Sequence, residues 1–494
     1  MLLQKNWQSG LTVIIVFLFF SQTFSFTWEC ASPFVQADDW RFITLYLDPL
    51  YKGQFHFKAL WADRVHPLPV YALFFIGSAK FFGLQIHYIG RVAICFQLIL
   101  GIFISFSYIK SIADKKTISA LTILAVISLS TIIFSFIVHT PYTWPIMTLC
   151  FFGSLFLLII AHFSDCYYHR TKIIEYKSFF LIGIVLLFSY LFFSDWTVIF
   201  TLSLLFVLSV IFWMEKLQRI KIVLLSLTLI IFLGLGYLLL TYYLRENHRS
   251  IHVNITGFIL LMGGSPVLML KSISIGLLSG IINFVWFSNL FESGKETYVF
   301  LSLIFIFTYL FVLVVFFTKR LYNRSVLPPV MMIYSLVFIL SVLLTRYNPV
   351  ENGIFCLYWD RYIQFYQIGI IGYLWSLFLI FNTLAINKPR FKKIIMVLAY
   401  SITSILVILW ANDYYYNKNI TSVWLKSIYP IVSNEIRDKL NNNEIQLRGI
   451  ARPYATKDIS QQLKFLKDHQ LNVFAPDYPY PKGKDTKDET MLNQ

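Results

Sequence analysis

Residues 297–317, TYVFLSLIFIFTYLFVLVVFF, run for 21 positions without a charged side chain. A bilayer hydrocarbon core about 30 Å thick is crossed by ~20 such residues in a helix. The run is continuously apolar rather than alternating in period two, so it reads as a membrane-spanning helix and not as a strand of a β-barrel. Similar runs fall at about 11–27, 67–83, 89–109, 118–137, 145–163, 178–193, 196–214, 222–243, 256–270, 273–290, 327–345, 362–382 and 394–410. The expected fold is therefore an all-α, polytopic helical membrane protein.

Composition agrees, since the 494 residues are 57% hydrophobic and only 13% charged. The net charge of +16 would point to nucleic acid in a soluble protein. Here the basic residues cluster between apolar runs, the pattern of cytoplasmic loops, and no nucleic-acid partner is expected. Cys30, Cys95, Cys150, Cys166 and Cys356 have neither CxxC nor CxxH spacing, so neither a zinc site nor a disulfide framework follows. Whether Cys30 and Cys356 pair is left open.

The clusters Lys110–Lys116, Arg170–Lys177, Lys216–Lys221, Lys319–Arg324 and Lys388–Lys393 are each separated by an even number of runs. All five can share the cytoplasmic side. An N-terminus on that side as well leaves one run too many before Lys110. The run at 67–83 is short, opens with His66-Pro67-Leu68-Pro69 and contains Lys80, so it is expected to lie at the outer interface as a juxtamembrane helix. About 13 spans remain, with the N-terminus inside and the C-terminus outside. The first run is read as a retained anchor rather than a cleaved signal. The division is a transmembrane region at 1–412, with an outer loop at 28–88, followed by a small helical extramembrane tail at 413–494. Parity puts on the outer face the loop Thr27–His66, the link His139–Trp144, Asp195, the loop Arg245–Val253, the loop Arg346–Arg361 and the tail.

Ala37-Asp38-Asp39-Trp40-Arg41-Phe42 lies just beyond the first span. A carboxylate at that level can act as general base for an acceptor hydroxyl, and an adjacent acid can hold a divalent cation against a phosphate. The plain alternative is a solvated helix end. Downstream, Trp61-Ala62-Asp63-Arg64-Val65-His66-Pro67-Leu68 sets a guanidinium and an imidazole before the interfacial helix, a combination that can bind a lipid-linked phosphate. His66, with Asp38 and Asp39, is also a candidate metal ligand, and the cation requirement is left open.

These two motifs resemble the GT-C superfamily of membrane glycosyltransferases, which includes the protein O-mannosyltransferases and the lipid A aminoarabinose transferases. The family carries an acidic pair at the end of the first span and then a Pro-rich motif opening a short helix. By that resemblance Asp38 is the catalytic base and Asp39 its partner. It implies a polyprenyl-phosphate-linked sugar donor, a glycan or lipid acceptor, and residence in a bacterial inner membrane. The chain departs from the family in carrying Val65-His66 where relatives have a second acid, and in having no acid in His139–Trp144.

Arg346 and the group Tyr358, Arg361 and Tyr362 bracket one outer loop, where Arg can hold phosphate and the aromatics can stack a sugar ring. The alternative is an aromatic belt. Arg41 and Arg64 are further phosphate candidates, and Asp195 is an acceptor-contact candidate. The expected activity is inverting sugar transfer at the outer face. The competing readings are a lipid-linked polysaccharide exporter, which would place charges along a central cavity, and an O-antigen polymerase or ligase, which would centre its arginines on one large outer loop.

Overall fold

The computed structural model describes residues 2–36, 39–61, 69–112, 119–144, 199–200, 202–211, 213–215, 266–284, 293–347, 356–357, 360–442 and 459–480, with isolated helical positions at 154, 158–159, 162 and 287. Every regular element among them is helical. In chain order they are α1 (Leu2–Cys30), α2 (Asp39–Phe42), a π-turn at Ile43–Leu47, α3 (Asp48–Tyr51), α4 (Pro69–Phe82), α5 (His87–Ser111), α6 (Ser119–Ile133) and α7 (Thr140–Thr143). There follow α8 (Pro266–Ser279), α9 (Gly294–Thr318), α10 (Leu327–Arg346), α11 (Asp360–Asn387), α12 (Lys392–Tyr416), α13 (Ser422–Asn442) and α14 (Ser460–Asp468).

Six of the described helices are long and apolar enough to cross a membrane: Trp7–Cys30, His87–Ser111, Gly294–Thr318, Leu327–Arg346, Tyr362–Asn387 and Pro389–Asp438. The protein is thus an all-α, multi-pass membrane protein. Most of the runs between 145 and 265 lie outside the described residues. The opening stretch becomes α9, whose Phe300, Phe307, Phe311 and Val314 are exposed, as suits a lipid-facing surface.

α4 is 14 residues long, about 21 Å at 1.5 Å per residue, too short to span. Both its ends attach to the stretch after α1. Tyr71 bonds Asp39, while Gly83 and Leu84 just beyond α4 bond Asn472, which in turn bonds Pro33 and Val35. These bonds tether both ends of α4 to the stretch after α1.

The antiparallel pair α10 and α11 forms the tightest seam. A Cβ at Gly369 would stand 2.7 Å from the Tyr309 hydroxyl, and one at Gly372 would stand 2.6 Å from the Pro328 carbonyl. Only glycine lets these backbones approach so closely. Ser335 of α10 donates to the Tyr366 carbonyl of α11 at 3.2 Å across this seam, while Tyr309 of α9 donates to the Met332 carbonyl of α10 at 2.9 Å.

Two boundaries differ from expectation. The runs 256–270 and 273–290 are not parted by a loop at Lys271, because α8 passes straight through that lysine. A single lysine with its stem on apolar surface does not break the backbone ladder. The run 118–137 forms a helix only as far as Ile133. Beyond it the backbone is irregular and buried, where unsatisfied carbonyls are costly. Each of these carbonyls is met by a side chain or a nearby hydroxyl. Gln97 donates to Ile133 at 2.6 Å, Trp410 to Phe134 at 2.7 Å and Tyr142 to Ser135 at 2.6 Å. Asn417 donates to Phe136 at 2.9 Å and Asn283 to Ile137 at 3.1 Å.

The polar segments segregate by end. Tyr322 donates to Glu215 at 3.1 Å, which joins the turn after Arg320 to the stretch before Lys216. At the other end, Ser32 donates its N–H to Thr143, and the tail docks on the stretch after α1. The helix of α12 runs on through a π-turn at Asn417–Thr421 into α13, so residue 412 lies inside a continuous helix.

Candidate active site

The stretch from Ala31 to Gln36 is extended and buried. Asn472 holds it: its amide donates to Pro33 at 3.1 Å and Leu84 at 2.7 Å, and its side-chain oxygen accepts from the Val35 N–H at 3.3 Å. Asn472 itself has φ +55°, a left-handed conformation that Asn tolerates better than most residues. Arg437 of α13 ties this docked segment down through the Val473 carbonyl at 2.8 Å and the Tyr480 carbonyl at 2.7 Å. Tyr51 packs against His469, with ring centroids 4.4 Å apart. The tail therefore clamps both flanks of the acidic pair.

Asp39 begins α2 and has no exposed surface. The Tyr71 hydroxyl donates to one carboxyl oxygen at 2.6 Å, and the Trp144 indole N–H donates to the other at 3.3 Å. Three separate elements converge there: the segment after α1, the short helix α4, and the residue after α7. Asp39 is thus not a solvated helix end. A buried carboxyl without such donors would cost several kcal/mol, of order 2–7 in apolar surroundings.

Aromatic packing fixes the surroundings. Phe42 stacks on Tyr46 at 5.3 Å and lies 5.3 Å from Tyr71 and 5.7 Å from Phe75. Trp40 is wholly buried. Arg41 is half-buried, with its guanidinium 5.2 Å from the Phe42 ring centroid. The α-helical turn relaxes at once into the π-turn Ile43–Leu47, a geometry frequent at functional sites.

The remaining sequence candidates divide in two. Asp38, Arg64, His66, Asp195 and Tyr358 lie outside the described residues, as does the side chain of Arg361. Arg346 ends α10, and Tyr362 sits in the first turn of α11 with its ring 6.0 Å from Phe338. α7, which precedes the Asp39 donor Trp144, packs on α1, α5 and α11. Arg346 also acts on Cys356, whose thiol is pushed up to about 11 by burial while the Arg346 charge pulls it down. Cys30 and Cys356 are both buried free thiols. Among the described residues no three His, Cys, Asp or Glu side chains gather as a metal site.

Tyr71 and Trp144 were not singled out from the sequence as site residues. The signal available was the type itself, since a buried Tyr or Trp seeks a partner for its polar edge. Comparisons with family models, with curated proteins and with solved structures found no match.

Proposed function

We propose that the protein is an inverting GT-C-type glycosyltransferase that moves a sugar from a polyprenyl-phosphate-linked donor to a cell-surface glycan or lipid acceptor. The observation that carries this reading is the burial of Asp39 between Tyr71 and Trp144, because it makes Asp39 a built feature rather than a loop end. Asp39, with both oxygens engaged, serves as the positioning acid. Asp38, its neighbour in sequence, is the base that deprotonates the acceptor hydroxyl. Arg64, His66, Arg346 and Arg361 stabilise the leaving phosphate. Lipid phosphate is a good leaving group, so placement and charge stabilisation supply most of the acceleration.

The reading includes a multi-pass bundle whose Asp39 end faces outward from a bacterial inner membrane. Clustering of the described segments 31–36, 139–144 and 459–480 at one end supports it. Asp38→Asn is expected to lower transfer about 10²–10⁴-fold, the range for loss of a general base. The readout is surface glycan by mass spectrometry at matched protein level. Unchanged glycan in both Asp38→Asn and Asp39→Asn strains would remove the proposal.

A further inference from the structure

An apolar groove of about 370 Å³ opens between α4 and the start of α5. Leu73, Phe74, Gly77 and Phe81 form one wall, and Tyr88 and Val92 belong to the other. Leu73, Phe81 and Val92 are exposed, so the groove faces sideways from the bundle. It lies apart from the stripe of α4 that serves Asp39, where Tyr71 and Phe75 are buried against Asp39 and Phe42. Positions 73, 77 and 81, four residues apart, follow a different face of the helix.

A cation stands at the rim. The Arg91 guanidinium lies 4.2 Å from the Trp28 ring and 5.4 Å from the Tyr88 ring, and its Nη2 donates to the Trp28 carbonyl at 3.0 Å. Its Nε–H has no hydrogen-bond partner among the described residues. Glu29, beside Trp28, is paired with Lys426 at 2.5 Å, and no carboxylate pairs with Arg91 among the described residues. Trp28 ends one span and Arg91 begins another, which is the headgroup level of a bilayer.

An apolar slot with an uncompensated guanidinium at the headgroup level has the chemistry of an anionic lipid site. We propose that the groove holds an acyl chain of an anionic bilayer phospholipid, with its phosphate on Arg91. The lipid-facing mouth, turned away from Asp39, favours a bilayer lipid over the sugar carrier. The proposal does not depend on the transferase reading.

Native mass spectrometry of the purified full-length protein tests it, using phosphatidylglycerol and phosphatidylcholine with the same acyl chains. Wild type is expected to retain phosphatidylglycerol over phosphatidylcholine by about fivefold, the factor that about 1 kcal/mol per interfacial cation amounts to. Arg91→Gln should bring the ratio to about one, while Arg91→Lys should keep most of the preference. Gly77 has no atom within 4 Å of its Cβ position, so the side chain of Gly77→Trp starts from open space in the slot. It should lower both adducts at least about fivefold with an unchanged melting temperature. Val92→Trp, on the opposite wall, is the second blocking variant should Gly77→Trp fail to fold. Equal retention of the two lipids by wild type, or undiminished adducts in a folded blocking variant, would overturn the proposal. So would displacement of phosphatidylglycerol by an equimolar amount of polyprenyl phosphate, which would assign the groove to the carrier.

Discussion

The α10–α11 seam and the α6–α7 break solve opposite problems within one bundle. At the seam, Gly369 and Gly372 remove side chains so that two regular helices touch backbone to backbone. At the break, Gln97, Trp410, Asn417 and Asn283 come from three other segments to satisfy carbonyls that a regular helix would satisfy itself. The seam gains dispersion, with Ser335 on the Tyr366 carbonyl and Ser376 on the Met332 sulfur as polar contacts across it. The break commits buried amides and an indole to hold an irregular chain, and that chain carries Trp144 to Asp39. Buried irregular backbone is kept where it places something, and here it places the donor to a buried acid.

The seam should fail first when the comparison is broken. Gly369→Leu forces a side chain into Ser335 and Tyr309 and is expected to cost at least about 3 kcal/mol, seen as loss of folded protein in detergent thermal melts. A variant that melts like wild type would mean that the helices are not in backbone contact. The tail clamp comes next. Asn472→Ala removes three side-chain hydrogen bonds at a left-handed backbone position and should cost about 2–3 kcal/mol, with limited proteolysis releasing fragments near residue 460. Asn472→Gly relieves the backbone but not the bonds, so it should fall between the two. The smallest effect belongs to Lys52→Ala, also at the site end. Its 2.7 Å pair with Asp48 is surface-exposed and worth below about 0.5 kcal/mol, so the melting temperature should move by no more than about 2 °C.

Hydropathy made the long spans legible because lipid contact acts on every residue of a span. The opening run 297–317 matches α9 at Gly294–Thr318 to within three residues, and the short run at 67–83 becomes a 14-residue helix at Pro69–Phe82. The same signal misled at 118–137, where apolar residues continue past Ile133 although the helix does not. An irregular segment buried in protein is as apolar as a helix, and its satisfying amides lie up to 281 residues away. Lys271 misled in the other direction, since a charge reads as a loop while its aliphatic stem tolerates a helix. The site was half legible. The acidic pair was visible as adjacent charges after a span, but the Tyr71 and Trp144 partners were not, because nothing local in sequence records which buried hydroxyl or indole meets a carboxyl 32 or 105 residues away. The docking of Asn472 carries no periodic signature at all.

The central claim is that Asp39 is a buried acid held by its two donors, and a double-mutant cycle on Asp39→Ala and Tyr71→Phe, read by thermal and denaturant unfolding of the purified protein, tests it most directly. The geometry predicts a coupling of about 1–3 kcal/mol between the two sites, since either change strands the other's polar group. Additivity within about 0.3 kcal/mol would contradict a buried Tyr71–Asp39 hydrogen bond and, with it, the built site on which the functional reading stands.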